Sequence, residues 1–567
     1  MDYASAVRQF ADLSKSRDEV KASRLPGLLT SLNRIKQSRF NWAAEVFEGI
    51  HVRERGSTPA LIWTNLDSGE EGKLTYSQLS TLADSVLSFL RKEGVKAGDS
   101  VYLMTPLVPE QWASMLAIVK GGMVGVPTAV NLTTRELSYR FSDLRPAAVI
   151  ADQDSAARVE EAMGSMKPVK LVIGRREGWT STDFLPKETV RPEDTSPHQQ
   201  SLNYFTSGTT GLPKRVIHTA SSYPVGSLST AAFIGLKPGD LHLNLSAPGW
   251  AKFAWSSFFS PFNLGATVLA INYSGKLDAS KYLNAAESLG VTTFCAPPTA
   301  WRQFVVQDLS NLKFDKLREA VSAGEPLNPE VIKVWRDRFE VTIRDFYGQT
   351  ETTAMIGNLP WEEVTPGSMG RPSPMYDVVL LDDEGREIRS PGTVGHVAVK
   401  LSTWRPVGLF LGYSDDSKNR DAFRGGYYYT GDRAYFDERE RWFFVGRSDD
   451  VIKTSDYRVG PFEVESAVIE HPAVAEVAVV GSPDPQRWQL VKAFVVLKPG
   501  YRASEELARE IASHCREVLM AYKVPRIVEF VDELPKTTSG KIRRNELRKL
   551  EEERRRRGER GEREYFV

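Results

Sequence analysis

Residues 203–218, NYFTSGTTGLPKRVIH, place Thr206, Ser207, Gly208, Thr209, Thr210 and Gly211 in a row and then add Lys214. Glycines let backbone N–H groups converge on an anion, hydroxyls add donors, and a lysine supplies a point charge. Together they make a cradle for a polyphosphate. A surface turn has a similar composition, so the loop alone does not decide the matter. It is also no Walker A loop, because Gly211 to Lys214 reads G-x-x-K and no Ser or Thr follows the lysine. A standard P-loop nucleotidase is therefore disfavoured.

The elements around the loop indicate layered α/β structure. Tyr204 and Phe205 lead in and Val216 and Ile217 lead out, both with strand character. In LTYSQLSTLADSVLSFLRKEG the residues Leu79, Leu82, Val86, Phe89 and Leu90 share one helix face, and Gly94 follows as a stop. SVYLMT, GVPTAV, AAVIAD and VKLVIG read as strands buried on both faces, and their alternation with helices predicts largely parallel sheets. After about residue 370 the pattern turns β-rich, with turns at Asp383–Gly385 and near Asp437–Glu440. A last block after GRSDD predicts a helix at about 461–470, two strands, a helix from Ser504, and a final strand at RIVEFV. On the Ser504 helix Leu507, Ile511, Cys515, Val518 and Leu519 share one side, and Pro525 is expected to close it. The fold class expected is α/β: a large N-terminal domain of layered subdomains with a β-rich part, then a small mobile α+β domain. The boundaries are 1–448, 449–548, and a charged tail at 549–567, read as a solvated or fraying helix end because its signs are mixed.

Bulk properties exclude several function classes. At 567 residues the chain needs several cores. Lys plus Arg equals Asp plus Glu at 73 each, so no net field draws the molecule to nucleic acid. The long apolar stretch MLAIVKGGMVGVPTAV is cut by Lys120, glycines and a proline, so no membrane span is expected. Cys295 and Cys515, the two cysteines, are read as packed thiols in a reducing, cytoplasmic setting.

Six segments follow one another in a fixed order: YFTSGTTGLPK, SAGEPLNPE, DFYGQTETT, YYTGDRAY, GRSDDVIKTSDYRVGPFEVE and PKTTSGKIRR. In them the chain resembles the adenylate-forming superfamily of acyl-CoA synthetases, luciferases and peptide-synthetase adenylation domains, from about residue 45 to 548. Through APGWAKFAWSSFFSPFNLGA and SDYRVGPFEVESAVIEHPAV it is most similar to the medium-chain acyl-CoA synthetase group. The resemblance implies two half-reactions. A carboxylate attacks the α-phosphate of ATP, giving acyl-AMP and pyrophosphate; the thiol of coenzyme A then displaces AMP.

The resemblance also implies roles. Thr206 to Gly211 and Lys214 would hold the β- and γ-phosphates, with Thr209 catalytic, and Glu351 would bind Mg²⁺. Gly324, Glu325, Pro326 and the run Asp345, Phe346, Tyr347, Gly348, Gln349, Thr350 would frame adenine and α-phosphate. Asp432, with Arg447 beside it, would take the ribose hydroxyls. Lys541 would bridge the two reacting anions in the first half-reaction. The small domain would then rotate about Asp449, bringing Ser455, Asp456, Tyr457 and Arg458 to the thiol path, with Arg487 and Arg516 as further contacts to CoA. Many members read Ser-Gly-Tyr-Arg where this chain has Asp456, which puts the shape of the CoA tunnel in question. Trp250, Phe253 and Gly348 are expected at the acyl pocket. Trp255, Phe258 and Phe259 lie in the same aromatic stretch. Glycine stands at 348 where acetate-specific relatives carry tryptophan, so a medium-chain or branched fatty acid is the first expectation. A short hydroxy acid such as 4-hydroxybutyrate, or an aromatic acid, stays open. Two rival classes are disfavoured: an enzyme that loads a carrier protein, by the arginines placed for CoA, and a non-catalytic nucleotide-binding protein, because Lys541, Glu351 and Asp432 are all present. The expected partners are an acid, ATP and CoA, and a homo-oligomer is left open.

Overall fold

The computed structural model describes residues 1–15, 24–206, 213–455, 457–537 and 541–567. Strand Ser100–Met104 lies parallel to Val124–Pro127 on one side and Ala148–Asp152 on the other. Every residue of the first two is buried, as continuous apolar runs covered on both faces should be. Their eight-stranded sheet runs on into the hairpin Gln200–Thr206 and Lys214–Thr219, where Thr206 stands opposite Lys214. The glycine- and hydroxyl-rich segment therefore joins two paired strands, and Gly412–Tyr413 adds itself outside them.

In the nine-stranded sheet Thr267–Asn272, Leu241–Asn244, Thr293–Ala296, Glu319–Ala323 and Ile343–Gly348 lie side by side and parallel. Their C-terminal ends bring Asn244, Cys295, Ala323 and the 345–351 segment to one edge, where α/β sheets bind ligands. The β-rich region is an antiparallel six-stranded sheet that sets Asp432 directly opposite Arg447. A further six-stranded sheet with helices Pro461–Ile469, Glu505–Val518 and Arg544–Arg557 forms the C-terminal unit. The α/β class and the smaller α+β unit are as the sequence predicts.

Helix Tyr76–Lys92 starts on a Thr75–Gln78 capping box and buries Leu79, Val86, Phe89 and Leu90, while Leu82 is partly covered. Asp84 is buried on it too. Its carboxylate lies 2.5 Å from Lys120, which also meets Glu48 at 2.7 Å, so the lysine that interrupts the apolar stretch is neutralised inside the core. Both cysteines are free and buried.

Two expectations are corrected. The C-terminal helix ends at Val518 and not at Pro525, and Val518 is 56% exposed because the chain leaves the helix there. The charge run is not simply solvated: Arg556, Glu559 and Arg560 are exposed, but two of its acids turn inward. Helix Arg544–Arg557 buries Glu551 completely, and strand Glu564–Phe566 pairs with Ile527–Phe530. The partner of both acids is Lys492, itself fully buried, which lies 2.7 Å from Glu529 and 2.5 Å from Glu551 and from Glu564.

Candidate adenylate and acid site

Lys214, at the start of its strand, reaches Tyr413. The Nζ donates to the phenol oxygen at 2.9 Å and stands 4.0 Å from the ring centroid. The Tyr413 hydroxyl donates to Glu351 Oε1 at 2.6 Å, and Lys214 lies 3.3 Å from the same carboxylate oxygen. Glu351 is buried. Burial beside Glu351 raises the Tyr413 phenol well above its ordinary range, so it stays a donor. With Lys214 drawn onto a phosphate, the buried Glu351 carboxylate would be left as a hard-oxygen ligand suited to a divalent cation. Tyr413 carries no motif and was not visible in the sequence. Beneath this group, His218 lies between Ser222 Oγ at 2.9 Å and the Thr350 carbonyl at 2.7 Å, and burial lowers it to about 3, so it is a neutral prop.

Asp432 accepts from the Tyr347 hydroxyl at 2.5 Å and from Gln349 Nε2 at 2.7 Å, while Tyr428 holds the other end of that amide at 2.9 Å. Desolvation raises the Asp432 carboxyl, opposed by nearby Arg447. Tyr347, Gln349, Asp432 and Arg447 are thus brought together as the motif order implies. Asp345 behaves differently. Its carboxylate accepts from the backbone N–H groups of Leu327 and Phe346, and burial pushes it up to about 8. It braces the chain after Gly324, Glu325 and Pro326 and turns no oxygen outward that these contacts do not use. Glu325 stands 3.7 Å from Arg302. Phe346 is buried, stacked near Phe233 and edge-on to Trp255.

Gly348 has a reason of its own. A Cβ there would lie 2.3 Å from the Thr353 carbonyl oxygen, at a register shift between Tyr347 and Gly348. With the backbone as it stands in this chain, a side chain at 348 would force the 353–354 segment to shift, so local backbone proximity favours glycine here apart from what the acid pocket needs. Trp250 stays partly exposed at the start of the helical segment 251–264, whereas Phe253, Phe258 and Phe259 are fully buried, Phe253 against Trp112 at 5.2 Å.

Lys541 reaches across to the large domain and donates to the Gly324 carbonyl at 3.0 Å, with its own N–H held by Thr537 Oγ1 at 3.1 Å. Its neighbours brace the C-terminal unit itself. Arg544 pairs with buried Glu465 at 2.6 Å, and Arg548 donates to the Asp449 carbonyl and, at 2.8 Å, to Asp450. Arg447 lies 3.5 Å from Asp449. Arg548, which had no marked role in the sequence, holds the expected hinge.

Ser455, Tyr457, Arg458 and Arg487 gather on the outer face of the C-terminal unit: Ser455 donates its N–H to the Arg487 carbonyl at 2.9 Å, and the Tyr457 ring stacks on Tyr522 at 4.0 Å. Positive φ falls on Ser455 at 51°. Arg516 is exposed in the last turn of its helix. Ser207, Gly208, Thr209, Thr210, Gly211 and Asp456 lie outside the described residues, while Thr206 ends its strand partly exposed.

No helix among the described residues is long and apolar enough to cross a membrane. The family model of AMP-binding enzymes matches residues 50–413, and that of the AMP-binding enzyme C-terminal domain matches 463–541. The chain is 62% identical over 98% of its length, and 98% of the relative's, to 4-hydroxybutyrate–CoA ligase 1 of Metallosphaera sedula. It is 41% identical to the mitochondrial acyl-coenzyme A synthetase ACSM3 of Mus musculus, covering 90% of each. Among solved structures, the anthranilate CoA ligase AuaEII in complex with anthranoyl-AMP superposes with a TM-score of 0.84 at 31% identity, over 92% of this chain and 99% of that one. On these grounds the chain belongs to the AMP-binding enzyme family, and within it is an AMP-forming acyl-CoA synthetase that joins a small carboxylic acid to CoA with ATP.

Proposed function

We propose that the acid is a short hydroxy acid of the 4-hydroxybutyrate class. The observation that carries this reading is 62% identity, end to end, with a ligase of that name. It is preferred to the medium-chain acid that the sequence put first, whose support was glycine at 348, because in this chain the close approach of Thr353 also favours glycine there and the residue alone does not measure the depth of the pocket.

In the first half-reaction the acid's carboxylate oxygen attacks the α-phosphorus and pyrophosphate leaves. The hairpin loop 206–214 with Lys214 would receive the leaving charge, and Thr209 would add a hydroxyl donor. Glu351 would hold Mg²⁺, which supplies charge neutralisation on the phosphate oxygens when bound. Asp432 would accept the ribose hydroxyls, exchanging the Tyr347 or Gln349 bond for them. Lys541 would leave the Gly324 carbonyl to lie between the two anions. For the second half-reaction, residues from 449 onward would turn about Asp449 after release of the Lys541 contact to the Gly324 carbonyl, bringing Ser455, Tyr457, Arg458 and Arg487 to the CoA path. Residues 549–567 would travel with that unit, since Glu551 and Glu564 are tied to Lys492. The two free, buried cysteines suit a cytoplasmic location.

The test is AMP formation with CoA across acetate, butyrate, 4-hydroxybutyrate, hexanoate, octanoate and benzoate. The highest kcat/KM should belong to 4-hydroxybutyrate. A maximum at hexanoate or octanoate restores the medium-chain reading, and one at benzoate selects an aromatic acid.

A further inference from the structure

Lys252 belongs to no motif that the site has absorbed. It follows Trp250 at the start of helical segment 251–264, which passes through a wide π-type turn at Ala254–Phe259. Such turns inside helices are frequent at functional sites. The segment lies by the ends of the parallel strands: Asn244 donates from Nδ2 to Ser257 Oγ at 2.7 Å and stands opposite Cys295 in register. The ammonium of Lys252 lies against the Cys295 thiol and 3.5 Å from the Ala323 carbonyl, longer than a good hydrogen bond. The next carbonyl, Gly324, carries Lys541. Two ammonium groups thus stand on consecutive carbonyls, near enough to repel.

The surroundings are unusual for a lysine. Lys120 meets two carboxylates and Lys492 three. Lys252 has no carboxylate within ion-pair distance among the described residues, and desolvation lowers its proton affinity. On the strand opposite Cys295, Asn244 Oδ1 is buried with no hydrogen-bond partner among the described residues, on a residue only 5% exposed. An under-bonded cation against the Cys295 thiol and an unpaired acceptor on the strand residue opposite Cys295 provide for a small polar group that arrives with a ligand.

We propose that Lys252 is the residue that selects the acid: its ammonium donates to a hydroxyl carried a few carbons from the carboxylate. A hydroxyl can accept from Lys252 and donate to Asn244 Oδ1. A plain methylene chain would strip the ammonium of water and return nothing, so the same residue excludes longer unsubstituted acids. This rests on the reading of a short hydroxy acid as substrate.

The experiment compares wild type with Lys252→Met, which keeps the length and removes the charge, and Lys252→Arg, which keeps the charge. kcat and KM are measured for 4-hydroxybutyrate, butyrate, hexanoate and ATP. Methionine should raise KM for 4-hydroxybutyrate at least roughly tenfold, improve hexanoate, and leave KM for ATP unchanged. The preference for 4-hydroxybutyrate over butyrate should collapse in Lys252→Met and survive in Lys252→Arg. If wild type itself prefers hexanoate, the substrate reading fails. If wild type prefers the hydroxy acid and Lys252→Met lowers every acid by one factor, the assignment to Lys252 is overturned and the substrate reading stands. Should the methionine variant fail to fold, the arginine variant decides, since loss of the hydroxyl preference with the charge retained also overturns it.

Discussion

Around Lys492 three carboxylates come within 2.7 Å of one ammonium, and Arg554 and Arg555 close the group from outside. At the candidate site the lysines are treated differently. Lys214 has one carboxylate at 3.3 Å, Lys541 has a backbone carbonyl, and Lys252 has a thiol and a long carbonyl contact. The first arrangement leaves no capacity for a further anion or acceptor. The second keeps capacity free, at some cost in stability, for substrates that bring the missing partners. What separates a structural lysine from a working one here is how completely the fold has already answered its charge.

The largest effect should come from breaking the completed cluster. Lys492→Met leaves three buried carboxylates facing one another and should cost about 3–5 kcal/mol of stability, read by denaturant unfolding. A loss below about 1 kcal/mol would mean that the acids simply take up protons and the cluster is not structural. Lys541→Ala should lower acyl-AMP formation by about 10²–10³-fold while thioester formation from supplied acyl-AMP stays near wild type. Equal loss of both half-reactions in a folded variant would remove the two-pose assignment. Gly348→Ala should cost about 1–3 kcal/mol through its clash with Thr353, lowering Tm and all acids together. A selective change in chain-length preference would instead make position 348 part of the pocket wall.

The smallest effect concerns buried groups kept neutral. His218 and His242 are lowered to about 3 and His51 to about 4, chiefly by desolvation. Their folded pKa lies below the unfolded value, so their contribution is complete above about pH 6.5 and is lost as pH falls toward 3–4. Each histidine should remove about 1.4 kcal/mol per pH unit within that window. Unfolding of wild type and His218→Gln at pH 7.5, 6.5 and 5.5 should show a shallower slope in the variant. Parallel slopes would mean that His218 already carries a proton in the native state.

Much of the site was legible because its residues fall in contiguous motifs on strand ends and turns. Tyr347, Gln349 and Asp432 meet as their order implies, and Lys541 faces Gly324. Partners supplied by distant segments were not legible. Tyr413 comes from a two-residue strand with no motif, and Lys252 sits among aromatics in GWAKFAW, where a lysine reads as a helix surface charge. The tail was misread for a related reason. A mixed charge run looks solvated until its counter-ion is known, and Lys492 is hidden within the apolar run VKAFVVL. Asp345 stands in its motif, yet it bonds backbone, a distinction that spacing does not encode.

The pairing of Lys492 with Glu551 and Glu564 spans 59 and 72 residues of chain. During synthesis at about 5–20 residues per second, the lysine emerges roughly 4–14 s before its second acid. Throughout that interval strand Trp488–Leu497 lacks Glu551 and Glu564, and the neighbouring strand Ile527–Phe530, once made, still has an open edge. Nascent chains stalled before Glu564 should therefore be the species that chaperones engage and proteases clear. Expression yield will depend on how quickly the ribosome passes through the arginine-rich helix that precedes Glu564.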